Sequence, residues 1–285
     1  DYPGKVYDQK YWWSDEWDSL DFGKNYDFSK NFFDQFGEVF KTTPMPAVFG
    51  TNLIDSSYCN HSGELKGSYL CFASWFGENI FYSAKTLKSR DSFDLLEVEN
   101  NEFCYENIRS NKQNRTFFIE NSENCDNSFF LYGCKGCSNC FGCVNLRNKS
   151  YYIFNKPYSK EEYRKKMREV DFDMGNHRAF KKAQNFFGAV KLNTLRKFAY
   201  ISKSENSTGD NLSNVSNCLY CFDLKDEARN SKYAVNGGLK MSDCYDGYGV
   251  GDSAEILYEI IDSGVKGSFL IFDQVKQNNP QQKYR

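Results

Sequence analysis

Histidine is nearly missing from this chain: His61 and His177 are the only two among 285 residues. His61, beside Cys59, has the chemistry of a base or ligand but reads as a solvated residue at an exposed turn, and His177, among charged helix residues, reads the same way. No stretch approaches the roughly 20 apolar residues of a membrane helix, and the first residues hold no secretory h-region. No phosphate loop, dinucleotide fingerprint or nucleophile elbow occurs. A surplus of one charge is missing too, with 36 Lys and Arg against 38 Asp and Glu. That balance argues against a dominant nucleic-acid or membrane partner, which draws on a basic excess. The basic run Arg164, Lys165, Lys166 and Arg168 is local and has acidic neighbours. Asp243, Asp246 and Asp252, near Gly247, Gly249 and Gly251, lack a calcium-loop spacing.

Cysteine, by contrast, is present in number. Eleven are too few for a disulfide scaffold at this length, and the odd count leaves at least one thiol unpaired in a monomer. Free cysteine is also a good small core residue. The expectation is unpaired thiols in a reducing, cytoplasmic setting. Six Asn-x-Ser/Thr triplets read as chance in a chain rich in Asn and Ser, not as glycosylation sites.

The strongest pattern is a period of twelve. Tyr69, Phe81, Phe93, Tyr105, Phe117, Phe129, Phe141 and Ile153 keep that spacing without a slip. The column before them reads Ser68, Ile80, Ser92, Cys104, Thr116, Ser128, Cys140 and Tyr152, and a second apolar column follows three residues later from Phe72 to Val144, broken by Glu120. A fixed repeat of short strand-like units parted by turn residues predicts a mainly β, parallel β-helix or β-solenoid. A coil of twelve residues has a perimeter of only about 40 Å, too tight for rings from facing walls that need roughly 10 Å between them. Two units per coil are therefore expected, with Phe93, Phe117 and Phe141 stacked inside one wall.

Around this array the chain divides as follows. Residues 1–52, crowded with Tyr7, Tyr11, Trp12, Trp13, Trp17, Phe22 and Tyr26, form an aromatic N-terminal cap. Within it Ser29 is the expected N-cap of a helix whose apolar face is Phe32, Phe33, Phe36, Val39 and Phe40, stopped by Pro44 and Pro46. Residues 53–157 are the first array. Residues 158–198 are a helical insertion packed on its side, opened by a capping box of Ser159 and Glu162, with Tyr163, Met167 and Val170, then Phe180, Ala183, Phe187 and Val190, at helical spacing. Residues 199–272 resume the repeat through Phe222, Tyr233, Tyr245, Leu257 and Phe269, and 273–285 are a polar tail.

The sharpest chemical motif is Cys134, Cys137, Cys140 and Cys143, spaced like iron–sulfur or zinc ligands. The repeat offers a competing cause, since the same columns take Ser, Leu and Ile elsewhere, and these thiols read as structural with zinc as the alternative. Cys218 and Cys221 look like an ordinary strand. Asp91, Asp94, Glu97, Glu99, Glu102 and Glu106 would build a carbohydrate-active site only by converging in one groove. Asp94 and Glu106 share a column with Tyr82 and Phe118, which points to a solvent-facing position. Interleaved aromatics and lysines admit single-stranded nucleic acid, but a buried aromatic column would withhold its stacking faces.

Several passages resemble a family of Cys/aromatic-repeat proteins from candidate-phylum bacteria with small genomes. They are Val6 to Ser14, Trp17-Asp18, Tyr26 to Ser29, Phe32-Phe33, Phe141 to Lys149, Tyr158 to Tyr163, Ser204 to Asn206 and Thr208 to Asn211. Members often carry a CaiB/BaiF CoA-transferase label, whose α/β fold finds no echo in these residues. Relatives of this kind typically begin with a zinc-ribbon-like segment and carry further Cys-rich repeats. This chain has neither, so the resemblance implies a fragment and transfers no catalytic residue. The expected function is a non-catalytic scaffold that binds another macromolecule, most simply protein or a second copy, with no membrane insertion. A carbohydrate-active β-helix enzyme and a zinc module on Cys134 to Cys143 are the alternatives.

Overall fold

The computed structural model describes residues 4–169, 176–251 and 253–261. The chain is mainly β with parallel strands and, among the described residues, four α-helices. It divides into two units, Asp1–Thr194 and Leu195–Arg285.

In the first unit one sheet runs in chain order from the strand Gly50–Ile54 to Lys156–Pro157. Gly50 lies opposite Ser62, Phe81 opposite Phe93, Phe117 opposite Phe129 and Phe129 opposite Phe141, all in parallel. Only the closing strand Lys156–Pro157 runs antiparallel, against Ser150–Ile153. The chain thus returns beside itself every twelve residues. Two units per coil is therefore corrected: consecutive units are hydrogen-bonded neighbours, so one unit is one full turn.

The backbone explains how so short a turn closes. From Asn52 to Phe154 every third residue has a positive φ. Four such corners per twelve residues give four sides of three residues each. Asn and Asp occupy many corners, among them Asn79, Asp91, Asn100, Asn124 and Asn148, because short polar side chains tolerate the left-handed region. The residue after each corner, from Cys59 through Cys143, is buried.

This interior overturns the second expectation, that rings fill it. The column Ser68, Ile80, Ser92, Cys104, Thr116, Ser128 and Cys140 is the core, and the rings one residue later point outward. Phe93 is 44% exposed. Phe141 is buried, but on the outside, under helices. The perimeter argument failed because it placed phenylalanines inside; serine and cysteine let the walls approach.

Polarity, too, is matched in this interior. Ser128 Oγ accepts the Cys140 N–H (3.0 Å) and donates to the Asp126 carbonyl (2.8 Å). Ser68, Ser83, Ser92 and Ser122 repeat the motif toward the N–H twelve residues on. Cysteine keeps the donor half of this motif: the Cys134 thiol donates to the Tyr132 carbonyl (3.6 Å) and the Cys140 thiol to the Ser138 carbonyl (3.4 Å). A short side chain with an acceptor at the γ position is what the inward N–H groups require.

The second unit has six parallel strands in chain order, from Ile201–Ser202 to Glu255–Ile261. Its register is not uniform. Gly209 meets Cys221 at twelve, but Phe222 meets Val235 and Tyr245 meets Tyr258 at thirteen. The extra residue sits at one corner of successive turns, where Asp226-Glu227 and Leu239-Lys240 are paired positive-φ residues. The expected column therefore mixes faces: Leu257 stands beside Cys244 in the core, not beside Tyr245. Phe269, Asp252, Val170 and the tail lie outside the described residues.

The helices are α1 (Gln9–Trp12), α2 (Phe32–Thr42), α3 (Lys160–Glu169) and α4 (His177–Leu192). Near the N-terminus Val6–Tyr7 pairs with Met45–Pro46, Trp12 is buried, and Trp17 packs against Trp12 and Tyr7. For α2 the N-cap is Asn31, not Ser29: Asn31 accepts the Phe33 N–H, while Ser29 donates to Asp27. Ahead of α3, Ser159 and Glu162 exchange both bonds of a capping box (2.9 and 3.2 Å).

Candidate interaction face

One side of the first unit carries three outward columns: the rings from Tyr69 to Ile153, the corner residues Tyr58, Leu70, Tyr82, Asp94, Glu106, Phe118 and Phe130, and the column from Phe72 to Val144. Parallel in-register pairing stacks like on like. Phe81 lies over Phe93 at 4.8 Å, Phe117 over Phe129 at 5.0 Å and Phe118 over Phe130 at 4.8 Å, close to the strand spacing itself.

The two halves of this face differ in what covers them. Toward its C-terminal end, α3 and α4 lie on it: Tyr163, Phe180 and Phe187 pack with Phe118, Phe130, Phe141 and Ile153, and Phe130 falls to 1% exposure. Lys191 closes the contact, pairing with Glu120 and sitting over the Tyr132 ring. Toward the N-terminal end the same columns are open. Tyr58 is 72% and Tyr82 56% exposed, with Phe72, Phe93, Leu96 and Ile108 beside them. A shallow groove runs between Leu70, Phe72, Tyr82, Asp94, Leu96 and Ile108. Asp94 makes no ion pair among the described residues, and partial burial raises its carboxyl above the ordinary value. Burial, with Glu106 and Asp94 nearby, raises the Tyr105 hydroxyl above its ordinary value.

The other acids are dispersed. Glu97 lies between Lys85 and Arg109 (3.3 and 2.7 Å), Arg90 holds Glu102 (2.6 Å), Asn79 donates to Asp91 (2.8 Å), and Asn100 donates to Glu99 (3.1 Å). Only Asp94 and Glu106 share a column. The convergent groove a carbohydrate-active site needs does not form from these six residues.

All eleven cysteines are unpaired and buried. Cys134, Cys137, Cys140 and Cys143 come together in the interior, one from each of its four sides, packed with Cys125, Ile119 and Leu131. Among the described residues no group of three or more His, Cys, Asp or Glu is placed to hold a metal ion. Burial pushes the Cys71 thiol up to about 12 and Cys244 up to about 11, so these sulfurs are protonated, weak nucleophiles at neutral pH. His61 lies at a corner against the Phe49 ring (5.7 Å).

Sequence reasoning placed the column from Tyr69 to Ile153 inside and so missed that it shares this open face, while the column of Tyr82, Asp94, Glu106 and Phe118 was read as solvent-facing, as Tyr82 is. No helix of the described residues is long and apolar enough to cross a membrane.

No family model matches this chain, and no curated protein sequence matches it. Among solved structures it is similar to a protein named as an acetyltransferase from Desulfovibrio desulfuricans G20, at 10% identity and a TM-score of 0.15, over 74% of this chain and 60% of that one. A likeness at that TM-score carries no argument about fold or activity.

Proposed function

We propose that this protein is a non-catalytic β-solenoid scaffold whose open, ring-bearing face in the first unit holds another protein. In this reading residues 1–52 cap the first array, 53–157 form it, 158–198 are an insertion laid on its side, and 199–272 make a second array. The observation that carries the reading is the contrast within one face. Where α3 and α4 lie on the columns, the rings are buried; from Tyr58 to Ile108 the same columns meet solvent. A contiguous exposed apolar patch of this kind marks an interaction surface, and stacked repeats offer such surfaces at length. The alternatives gain no comparable support, since four of the six acids are engaged in separate ion pairs and hydrogen bonds and the clustered thiols are packed core residues.

The test is capture from native lysate on the immobilised chain, with bound proteins identified by mass spectrometry. A partner held by the unmodified chain and by Tyr248→Asp, which alters the second unit, but lost with Phe93→Asp, supports the reading. An identical bound set for all three chains contradicts it.

A further inference from the structure

We propose that the interior of the first unit binds an ordered water between the facing amides of Asn107 and Gln113; the inference is independent of the scaffold reading above. It starts from a break in the core. The apolar and thiol residues inside this unit do not form one column but separate clusters, one ending at Cys104 and the next beginning at Ile119. Between them the inward residues are Asn107, Ser110, Gln113 and Thr116. Asn107 and Ser110 have no exposure, and Gln113 has 1%.

The buried amides here do not all behave alike. Asn101, one turn earlier than Gln113, follows the rule of the serines. Its Oδ1 accepts the Gln113 N–H (3.1 Å), and its Nδ2 donates to the Ser110 carbonyl (3.0 Å). Both ends of that amide are used. In Asn107 only the nitrogen is, donating to the Thr116 hydroxyl (2.8 Å). In Gln113 the nitrogen donates to the Asn111 and Ser122 carbonyls (3.1 and 3.0 Å). Asn107 Oδ1 and Gln113 Oε1 are buried without a hydrogen-bond partner among the described residues. The Ser110 hydroxyl beside them is committed to the Ile108 carbonyl (2.9 Å). Two buried acceptors in one turn call for a donor from outside the chain.

The turn brings the two oxygens into one space. Arg109 and Lys112 are the corners between Asn107 and Gln113, so the amides enter from facing sides. A side of three residues is about 10 Å long at most. Amides from two such sides bring their oxygens within reach of one molecule lying about 2.8 Å from each. That molecule is water by its chemistry. Exchanging the oxygen and nitrogen of Gln113 would set oxygen against two carbonyls, so its orientation is fixed. Exchanging those of Asn107 would leave its nitrogen over instead. Water donates and accepts, and serves both arrangements. A cation serves only one of them, and it would bring an unpaired charge into an interior where, among the described residues, no charged side chain is buried.

Denaturant unfolding of the whole chain tests the shared water through Asn107→Leu, Gln113→Leu and the double variant. Leucine already stands in these two columns, at Leu131 and Leu65, fully enclosed or nearly so. The Ser122 and Asn111 carbonyls keep backbone donors, the Asn111 and Asn124 N–H groups, so the Gln113 change orphans neither. Each single change leaves the water one partner short and is expected to lower the midpoint. The double change displaces the water and is expected to recover most of the loss. In the isotope-labelled, unmodified chain, the side-chain amide protons of Asn107 and Gln113 are expected to show nuclear Overhauser peaks at the water frequency, with the sign of a long-lived bound molecule.

Losses that simply add overturn the proposal, since the two amides would then act separately. Water peaks on neither amide overturn it as well, and decide the matter if a variant does not fold. Replacing sodium chloride by potassium chloride at equal concentration is expected to leave the midpoint of the unmodified chain unchanged. A midpoint that follows the identity of the cation would place an ion there and overturn the water.

Discussion

The inward residues of this protein act as hydrogen-bond acceptors as much as filler. At Ser128 a hydroxyl with no exposure takes the N–H of Cys140. Ser128→Ala leaves that buried N–H unpaired and is expected to cost about 1–3 kcal/mol in denaturant unfolding. Ser128→Cys should cost less, because a thiol keeps the bond to the carbonyl two residues back, as at Cys134 and Cys140. With all eleven thiols buried, alkylation of the native chain at pH 8 should label fewer than one thiol per molecule, and unfolded chain all eleven. Rapid labelling of the native chain would contradict the interior described here. Two carboxyls have opposite pH signatures. Burial raises Glu97, but Arg109 and Lys85 outweigh it and hold the group below its ordinary 4.5. Its contribution to stability is therefore whole above that value and lost as pH falls through the lower folded one. Asp94, raised by burial, works the other way: it opposes folding at neutral pH and ceases to do so when protonated. Glu97→Gln should flatten the loss of denaturation midpoint below pH 4.5, whereas Asp94→Asn should raise the midpoint at pH 7.

Among the elements, α4 shows how the ring face is meant to be covered. Phe187, 9% exposed, meets Phe130 at 5.6 Å. Phe187→Ala is expected to cost about 3 kcal/mol and to uncover the rings beneath, read as lower stability together with new binding of a hydrophobic dye. Unchanged stability would mean that α4 only rests there. The helices were legible in sequence because their signals are local. Ser159 and Glu162 stand three apart, and Phe180, Ala183 and Phe187 repeat at helical spacing. The strands were legible in register but not in facing. Column identity at twelve residues survives any assumption about which way a side chain points. Facing was read by taking the aromatic column as the shared core, whereas left-handed corners at every third residue turn the small residue after each corner inward. In the second unit even the register blurred, because Glu227 and Lys240 each add a residue at a corner without a sequence mark that separates them from other polar turn residues.

For the molecule as a whole, everything rests on one unit per turn with small polar and thiol side chains inside. That arrangement puts the rings outside and leaves half of their face open. Outward positions on adjacent rungs provide the most direct measure. Lys66 lies opposite Glu78, and Glu78 opposite Arg90. Cysteines placed at 66 and 78 stand about 4.8 Å apart, within disulfide reach, while those at 66 and 90 are about 9.6 Å apart and beyond it. The native thiols are buried and do not compete. Under mild oxidation Lys66→Cys with Glu78→Cys is expected to cross-link within the chain, and Lys66→Cys with Arg90→Cys is not. The reverse result would mean two units per turn and would contradict the account.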